Sequence, residues 1–200
     1  GCGHLMAPPD LPAVKADVAR YMESPAYERD VRRALRPVRQ ALRRLDAASA
    51  TGTAMVLDID ETALSTYEYQ KGLGFGHYGP AWHEWQRQRR AVALEPVLEV
   101  YREARARGMA VFFVTGRRER SRADTEANLR QAGYEDWSGL WLKPDDHREP
   151  SVAPYKASCR AQIEAQGYRI LFNIGDQDSD LAGGHAEHTV RLPNPIYRVE

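Results

Sequence analysis

Asp58 and Asp60 stand two residues apart in Asp58-Ile59-Asp60-Glu61-Thr62, directly after the apolar run Ala54-Met55-Val56-Leu57. Thr115-Gly116-Arg117 follows a second apolar run, Met109 to Val114, and Gly175-Asp176-Gln177-Asp178-Ser179-Asp180 follows a third, Ile170 to Ile174. Short apolar runs of this kind read as buried parallel strands. In such sheets ligands bind outside the carboxyl ends of the strands. With the three strands as neighbours, Asp58, Asp60, Asp176 and Asp180 share one rim with Thr115. Four carboxylates in one place raise each other's pKa values unless a cation sits among them. Oxygen donors without Cys or His favour Mg2+ over zinc, and Mg2+ shares its coordination shell with a substrate phosphate. A single Asp after a strand is commonly a cap or turn residue. Paired carboxylates at two separate strand ends exceed that role.

The elements that must position these residues follow from periodicity. Glu95-Pro96 opens a helix with Leu94, Val97, Leu98, Tyr101 and Ala104 on one face, stopped at Gly108. Residues Glu119 to Ala132 and Ala153 to Gln166 are helical, each followed by glycine. Leu140 to Leu142 and His188 to Leu192 are further strands. This alternation predicts an α/β fold, a central parallel sheet with helices on both faces. Ahead of it, Leu11 to Leu45 is helical, with Val31, Leu35, Val38, Leu42 and Leu45 in one stripe and Pro37 placed to kink or split it. Its arginines read as a solvated face rather than a membrane-facing one. The expected organisation is a tether over 1–10 and a single domain over 11–200, with a helical arm over 11–46.

The chain has 200 residues, 28 basic and 28 acidic side chains and no net formal charge. That balance argues against a dedicated binder of nucleic-acid polymers, which would show a basic excess. No apolar run reaches the length of about 18 residues needed to span a membrane as a helix. Two cysteines, Cys2 and Cys159, do not make a disulfide framework, and Cys159 reads as a small core residue.

Residues 65–93 are surplus to a strand-to-strand crossover, because the helix after Glu95 already supplies it. They hold Tyr67, Tyr69, Phe75, Tyr78, Trp82 and Trp85, interleaved with glycines. Trp82 and Trp85, three apart on a predicted helix, are expected in the core. Tyr67 and Tyr69, nearer the rim, are the expected substrate contacts. His77, His83, His185 and His188 read as surface residues. Arg117 and Arg118 have two readings open, substrate phosphate or solvent pairing with Glu119 or Asp124.

Asp58-Ile59-Asp60-Glu61-Thr62, Val114-Thr115-Gly116-Arg117, Lys156 and Gly175-Asp176 through Asp180 resemble, in order, the four motifs of the haloacid-dehalogenase (HAD) superfamily. Trp82 with Trp85, Ala93-Leu94-Glu95-Pro96, Asn128-Leu129, Tyr155-Lys156 and Leu192-Pro193-Asn194-Pro195 extend the resemblance to its acid phosphatases, subfamily IIIB. That group includes bacterial lipoprotein acid phosphatases and plant vegetative storage proteins. The resemblance covers about residues 20 to 197.

The resemblance implies a HAD-like Rossmannoid fold and Mg2+-dependent hydrolysis of phosphomonoesters through an aspartyl-phosphate; nucleoside monophosphates, aryl phosphates and small sugar phosphates all suit the aromatic insert. Asp58 is then the nucleophile, and Asp60 protonates the leaving oxygen and activates water. Asp58, the Asp60 carbonyl and Asp176 hold the metal, with Asp180 outside them, by water contact or by orienting Lys156. Thr115, Gly116 and Lys156 bind phosphate, and residues 65–93 form a small cap that selects substrate. Gly1-Cys2-Gly3 resembles the leader junction of a bacterial lipoprotein, which would place the protein in the cell envelope, periplasmic or outer-membrane, with a lipid anchor at Cys2. An incidental cysteine is the competing reading. Two further functional readings stand beside the phosphatase. Dehalogenase chemistry on this fold has no comparable need for Asp60. A storage or binding protein without turnover would have little reason to keep Asp58, Asp60, Lys156, Asp176 and Asp180 together. Oligomeric state has no signature in the sequence.

Overall fold

The computed structural model describes residues 9–199. The tether and the lipid anchor expected at Cys2 lie outside the described residues, apart from the tether's last two positions. The chain runs α1 (Leu11–Met22), α2 (Pro25–Ala34), α3 (Arg36–Arg44), α4 (Ala47–Ala50), β1 (Thr53–Leu57), β2 (Leu64–Ser65), α5 (Tyr67–Gly72), α6 (Gly79–Gln88) and β3 (Val92–Ala93). It continues through α7 (Glu95–Ala106), β4 (Ala110–Arg118), a 3-10 turn (Glu119–Ser121), α8 (Arg122–Gln131), β5 (Gly139–Lys143), α9 (Ala153–Ala165), β6 (Arg169–Gly175), α10 (Asp178–Leu181) and β7 (His188–Arg191).

Five strands form a sheet of order β5-β4-β1-β6-β7, every neighbouring pair parallel. β1 lies at its centre with all five residues buried. Successive strand residues face opposite ways, and β1 divides accordingly. Met55 and Leu57 join Val111, Phe113, α7 and the apolar stripe of the arm on one face. Ala54 and Val56 join Phe112, Val114, Cys159 and Ile163 on the other. The fold is the α/β architecture that the strand and helix periodicities predict.

The expected helix over 11–45 is three helices. One break falls at Pro25, where Ser24 caps the new start, and another at Leu35 and Arg36, where Pro37 occupies the first turn of α3. Val31, Leu35, Val38 and Leu42 are fully buried. Arg32 donates two hydrogen bonds to Glu99 of α7 at 2.7 and 2.8 Å, and Arg39 adds one at 2.9 Å. α1, in contrast, buries no residue. Residues 65–93 branch from the sheet's rim through the antiparallel pair β2–β3, with Leu64 opposite Ala93 and Ser65 opposite Val92. No helix among the described residues is long and apolar enough to cross a membrane.

Candidate active site

β1 ends where Asp58 donates its backbone N–H to Ile174 of β6 at 3.0 Å, so the carboxylate emerges at the centre of the rim. The chain then folds tightly, Leu64 and Thr62 donating back to the Ile59 carbonyl at 2.8 and 3.2 Å. Glu61 pivots this turn in the left-handed region, at φ 56°, a conformation that costs a non-glycine residue about 1 kcal/mol or more. Its buried carboxyl accepts from the Thr66 amide at 2.7 Å, from the Thr66 hydroxyl, and from Tyr197 at 3.2 Å. Burial lifts its pKa to about 8, against the pull of the Thr66 hydrogen bonds. Glu61 thus fixes the turn that sets Asp58 and Asp60, a role its place in the motif does not reveal.

Asp58, Asp176 and Asp180 each present a carboxylate oxygen within 4.8 Å of the others, all three buried. Lys156, early in α9, donates to Asp58 Oδ1 at 2.6 Å and to Asp180 Oδ1. Asp180 Oδ2 accepts from the Gln177 amide at 2.8 Å as part of a reciprocal cap on α10. Gly175 permits this closeness, since a Cβ there would overlap the Asp180 carboxylate. Asp176 accepts from Thr62 at 3.2 Å, Gln177 at 2.5 Å and Asn194 at 2.8 Å. Burial, then Asp180, pushes the Asp58 carboxyl well above the usual range. The same causes lift Asp176 to about 6. Burial opposes the charge on Lys156, yet Asp180 and Asp58 hold its ammonium above the usual range. One ammonium faces three carboxylates, so the cluster is short of positive charge. Its all-oxygen donor set fits a hard divalent cation.

β4 reaches the rim through a bulge, its register with β5 passing from Thr115 opposite Leu142 to Arg118 opposite Lys143. Such a bulge re-aims side chains. It turns Gly116 and Arg117 to the cavity. Thr115, the expected phosphate contact, stands beside Gly116 at the end of β4. Thr115 is fully buried beneath the wall, and its hydroxyl accepts from the Arg117 amide at 3.1 Å. Arg117 lines the cavity and pairs with neither Glu119 nor Asp124. Its guanidinium, 1% exposed, donates to both Asp60 oxygens at 2.7 to 3.2 Å. Its Nη1 reaches Thr125 at 3.3 Å, and the cation lies over the Trp82 ring. Asp124 is taken by Arg89 and Glu119 by Arg122. Arg118 donates to the carbonyls of Pro144, Asp145 and His147.

A cavity of about 450 Å³ opens over Asp58, Asp60, Lys156 and Asp176. Residues of the 65–93 segment wall it, but not the expected ones. Tyr67 donates to Glu23 of the arm at 2.8 Å. Tyr69 packs between Trp82 and Trp85 and donates to the Tyr78 carbonyl at 3.3 Å. Neither lines the cavity; Gln70, Phe75, His77 and Trp82 do. Residues two apart on a helix point about 200° away from each other, so α5 cannot offer Tyr67 and Tyr69 to one site. Trp85 is core as expected, whereas Trp82 and His77 face the cavity. His185 pairs with Glu164 at 2.6 Å on the surface, and His188 lies exposed on β7. The far wall comes from Tyr197 to Val199, pinned by Val199 N–H donating to Gln177 at 2.8 Å.

The model for HAD superfamily, subfamily IIIB (acid phosphatase), matches residues 10–200, and the chain belongs to that family. It is 40% identical to the stem 28 kDa glycoprotein of Glycine max over 72% of this chain, and spans 59% of that protein's length. It is 32% identical to acid phosphatase 1 of Solanum lycopersicum over 94% of this chain and 76% of that protein. Vegetative storage protein 2 of Arabidopsis thaliana is 28% identical over 95% of this chain and 75% of its own length. In fold the chain is similar to the class C acid phosphatase from Bacillus anthracis, with a TM-score of 0.73 at 19% identity, covering 94% of this chain and 86% of that one.

Proposed function

We propose that the chain is a Mg2+-dependent acid phosphatase that hydrolyses phosphomonoesters through a phosphoryl group carried on Asp58. The observation that carries this reading is the buried cluster of Asp58, Asp176 and Asp180 on a single Lys156, open to a cavity far larger than one phosphate. Among the described residues, Asp58 Oδ2 has no hydrogen-bond donor and is the oxygen free to attack phosphorus. A divalent cation held by Asp58, Asp176 and the Asp60 carbonyl would supply the positive charge that keeps Asp58 ionised and draws charge from the phosphoryl oxygens. Lys156 adds a fixed charge to the same oxygens, and the Gly116 amide is the backbone donor at the β4 end. As the bond to the leaving oxygen breaks, Asp60 gives that oxygen a proton; it later takes one from the water that cleaves the phosphoryl-aspartate. Arg117 aims Asp60 for both steps. Residues 65–93 serve as the cap, and their Phe75 and Trp82 suit an aryl or nucleoside leaving group, nucleotides among them.

Relatives named as storage proteins favour a second reading, the same fold without turnover. Retention of every charged group in the cluster supports activity over it. A lipid anchor at Cys2 and an envelope location belong to the proposal through Gly1-Cys2-Gly3 alone; mass analysis of the amino-terminal peptide from cells checks them. The test of the enzyme is phosphate release from an aryl phosphate with Mg2+, with and without chelator, by wild type and Asp58→Asn. A loss of several orders of magnitude is expected; Asp58→Asn activity within about tenfold of wild type would sink the nucleophile assignment.

A further inference from the structure

The cavity has a cationic wall that the chemistry above does not use. Lys143 ends β5 opposite Arg118 in the parallel register and lines the same cavity as Lys156. It is half-buried, and among the described residues it has neither an ion-pair nor a hydrogen-bond partner. Lys156 is already engaged by Asp58 and Asp180. Asp145 and Asp146, the first acids after Lys143, are exposed. Arg118 donates from Nη1 to backbone carbonyls and has no carboxylate partner among the described residues, so it brings charge to this wall and no counter-anion. Burial, with Arg118 and Lys156, pushes the Lys143 ammonium below its ordinary range. A half-buried ammonium among other cations is a cost to the free protein that an arriving anion relieves. The reacting phosphate lies at Asp58, where Lys156 answers it, and the cavity of about 450 Å³ admits a substantial leaving group beyond it.

We propose that Lys143 receives a second anionic group carried on the leaving group, a carboxylate or a further phosphate, so that the enzyme selects phosphomonoesters of anionic alcohols. This narrows the substrate class of the proposed phosphatase and rests on that reading. The test compares 4-carboxyphenyl phosphate and 4-phosphonophenyl phosphate with the neutral 4-carbamoylphenyl phosphate, using wild type, Lys143→Gln and Lys143→Arg. The readout is the kcat/KM ratio of each anionic ester over the neutral one. Wild type should favour an anionic ester by about tenfold, equivalent to about 1.4 kcal/mol. Lys143→Gln should bring that ratio close to one, and Lys143→Arg should recover most of it. The ester with the larger ratio tells carboxylate from phosphate.

A wild-type ratio near one, or a ratio unchanged in Lys143→Gln, overturns the inference and leaves the phosphatase reading intact. An equal loss on all three esters also overturns it, because Lys143 would then serve the reacting phosphate. No hydrolysis of any ester by wild type defeats the phosphatase reading and this one with it. Should Lys143→Gln fail to fold, inhibition of wild type by 4-carboxybenzylphosphonate against its carbamoyl analogue decides. Tighter inhibition by the carboxylate supports the inference, and equal inhibition overturns it.

Discussion

Two ion clusters tie distant parts of this chain together, and they differ in burial and in balance. On the arm, Arg32 and Arg39 meet Glu99 with about a third of each side chain exposed, and Glu28 on Arg32 makes it two cations to two carboxylates. At the rim, Lys156 meets Asp58 and Asp180 with 4 to 8% exposure, and Asp176 adds a third carboxylate. Water shares the charge of the first cluster, so it can act as a clasp of α2 and α3 onto α7 at little cost. The second is almost wholly buried and left negative, an arrangement that favours burial only when further positive charge arrives. The same chemistry serves attachment where it is exposed and readiness for a cation and a phosphate where it is buried.

Removing the lysine should have the largest effect. Lys156→Met leaves three buried carboxylates without their ammonium, with an expected loss of about 3–5 kcal/mol from urea unfolding. Excess Mg2+ should restore part of that stability, since binding to the folded state alone stabilises it. A variant as stable as wild type without metal would dissolve the contrast between the clusters.

Trp82→Ala comes next. It removes the ring between Arg117 and the cavity, and KM for an aryl phosphate should rise about tenfold with a smaller change in kcat. Tyr67→Phe, on the arm side of α5, should leave KM unchanged; the reverse pattern would return the substrate contact to Tyr67.

The smallest effect is expected at the clasp. Glu99→Gln should cost about 1 kcal/mol at neutral pH, the exposure of the pair keeping the figure low. Arg32 lowers the Glu99 pKa in the folded protein. That stabilisation is therefore present above the ordinary glutamate range and lost as pH falls through the lower, folded value. Melting curves of wild type and Glu99→Gln should converge on acidification; a constant gap would deny Glu99 its charge-based role.

The strand ends are legible in the sequence because each apolar run stops abruptly at a charged or polar residue. That suffices to bring Asp58, Asp176 and Asp180 together and to foresee sheet and crossover helices. Arg117 is another matter. Its pairing with Asp60 depends on the β4 bulge, and the hydroxyl that sets its amide belongs to Thr115, itself read as a phosphate ligand. Tyr67 and Tyr69 mislead because their nearness to the rim in sequence ignores the rotation of α5. Asn194 and Tyr197 return to Asp176 and Glu61 from the far end of the chain, a contact with no local pattern. The left-handed Glu61 gives no cue either, since glycine or asparagine is the residue that sequence reading associates with such a turn.

The central claim is that Asp58, poised on Lys156, accepts the phosphoryl group. Rapid acid quench of the enzyme with an aryl phosphate and Mg2+, followed by peptide mass spectrometry, tests it directly. The account predicts the mass of one phosphoryl group on the peptide bearing Asp58, discharged by hydroxylamine and absent from Asp58→Asn. Turnover with the label on another residue, or with none on wild type under conditions that trap acyl phosphates, would contradict it.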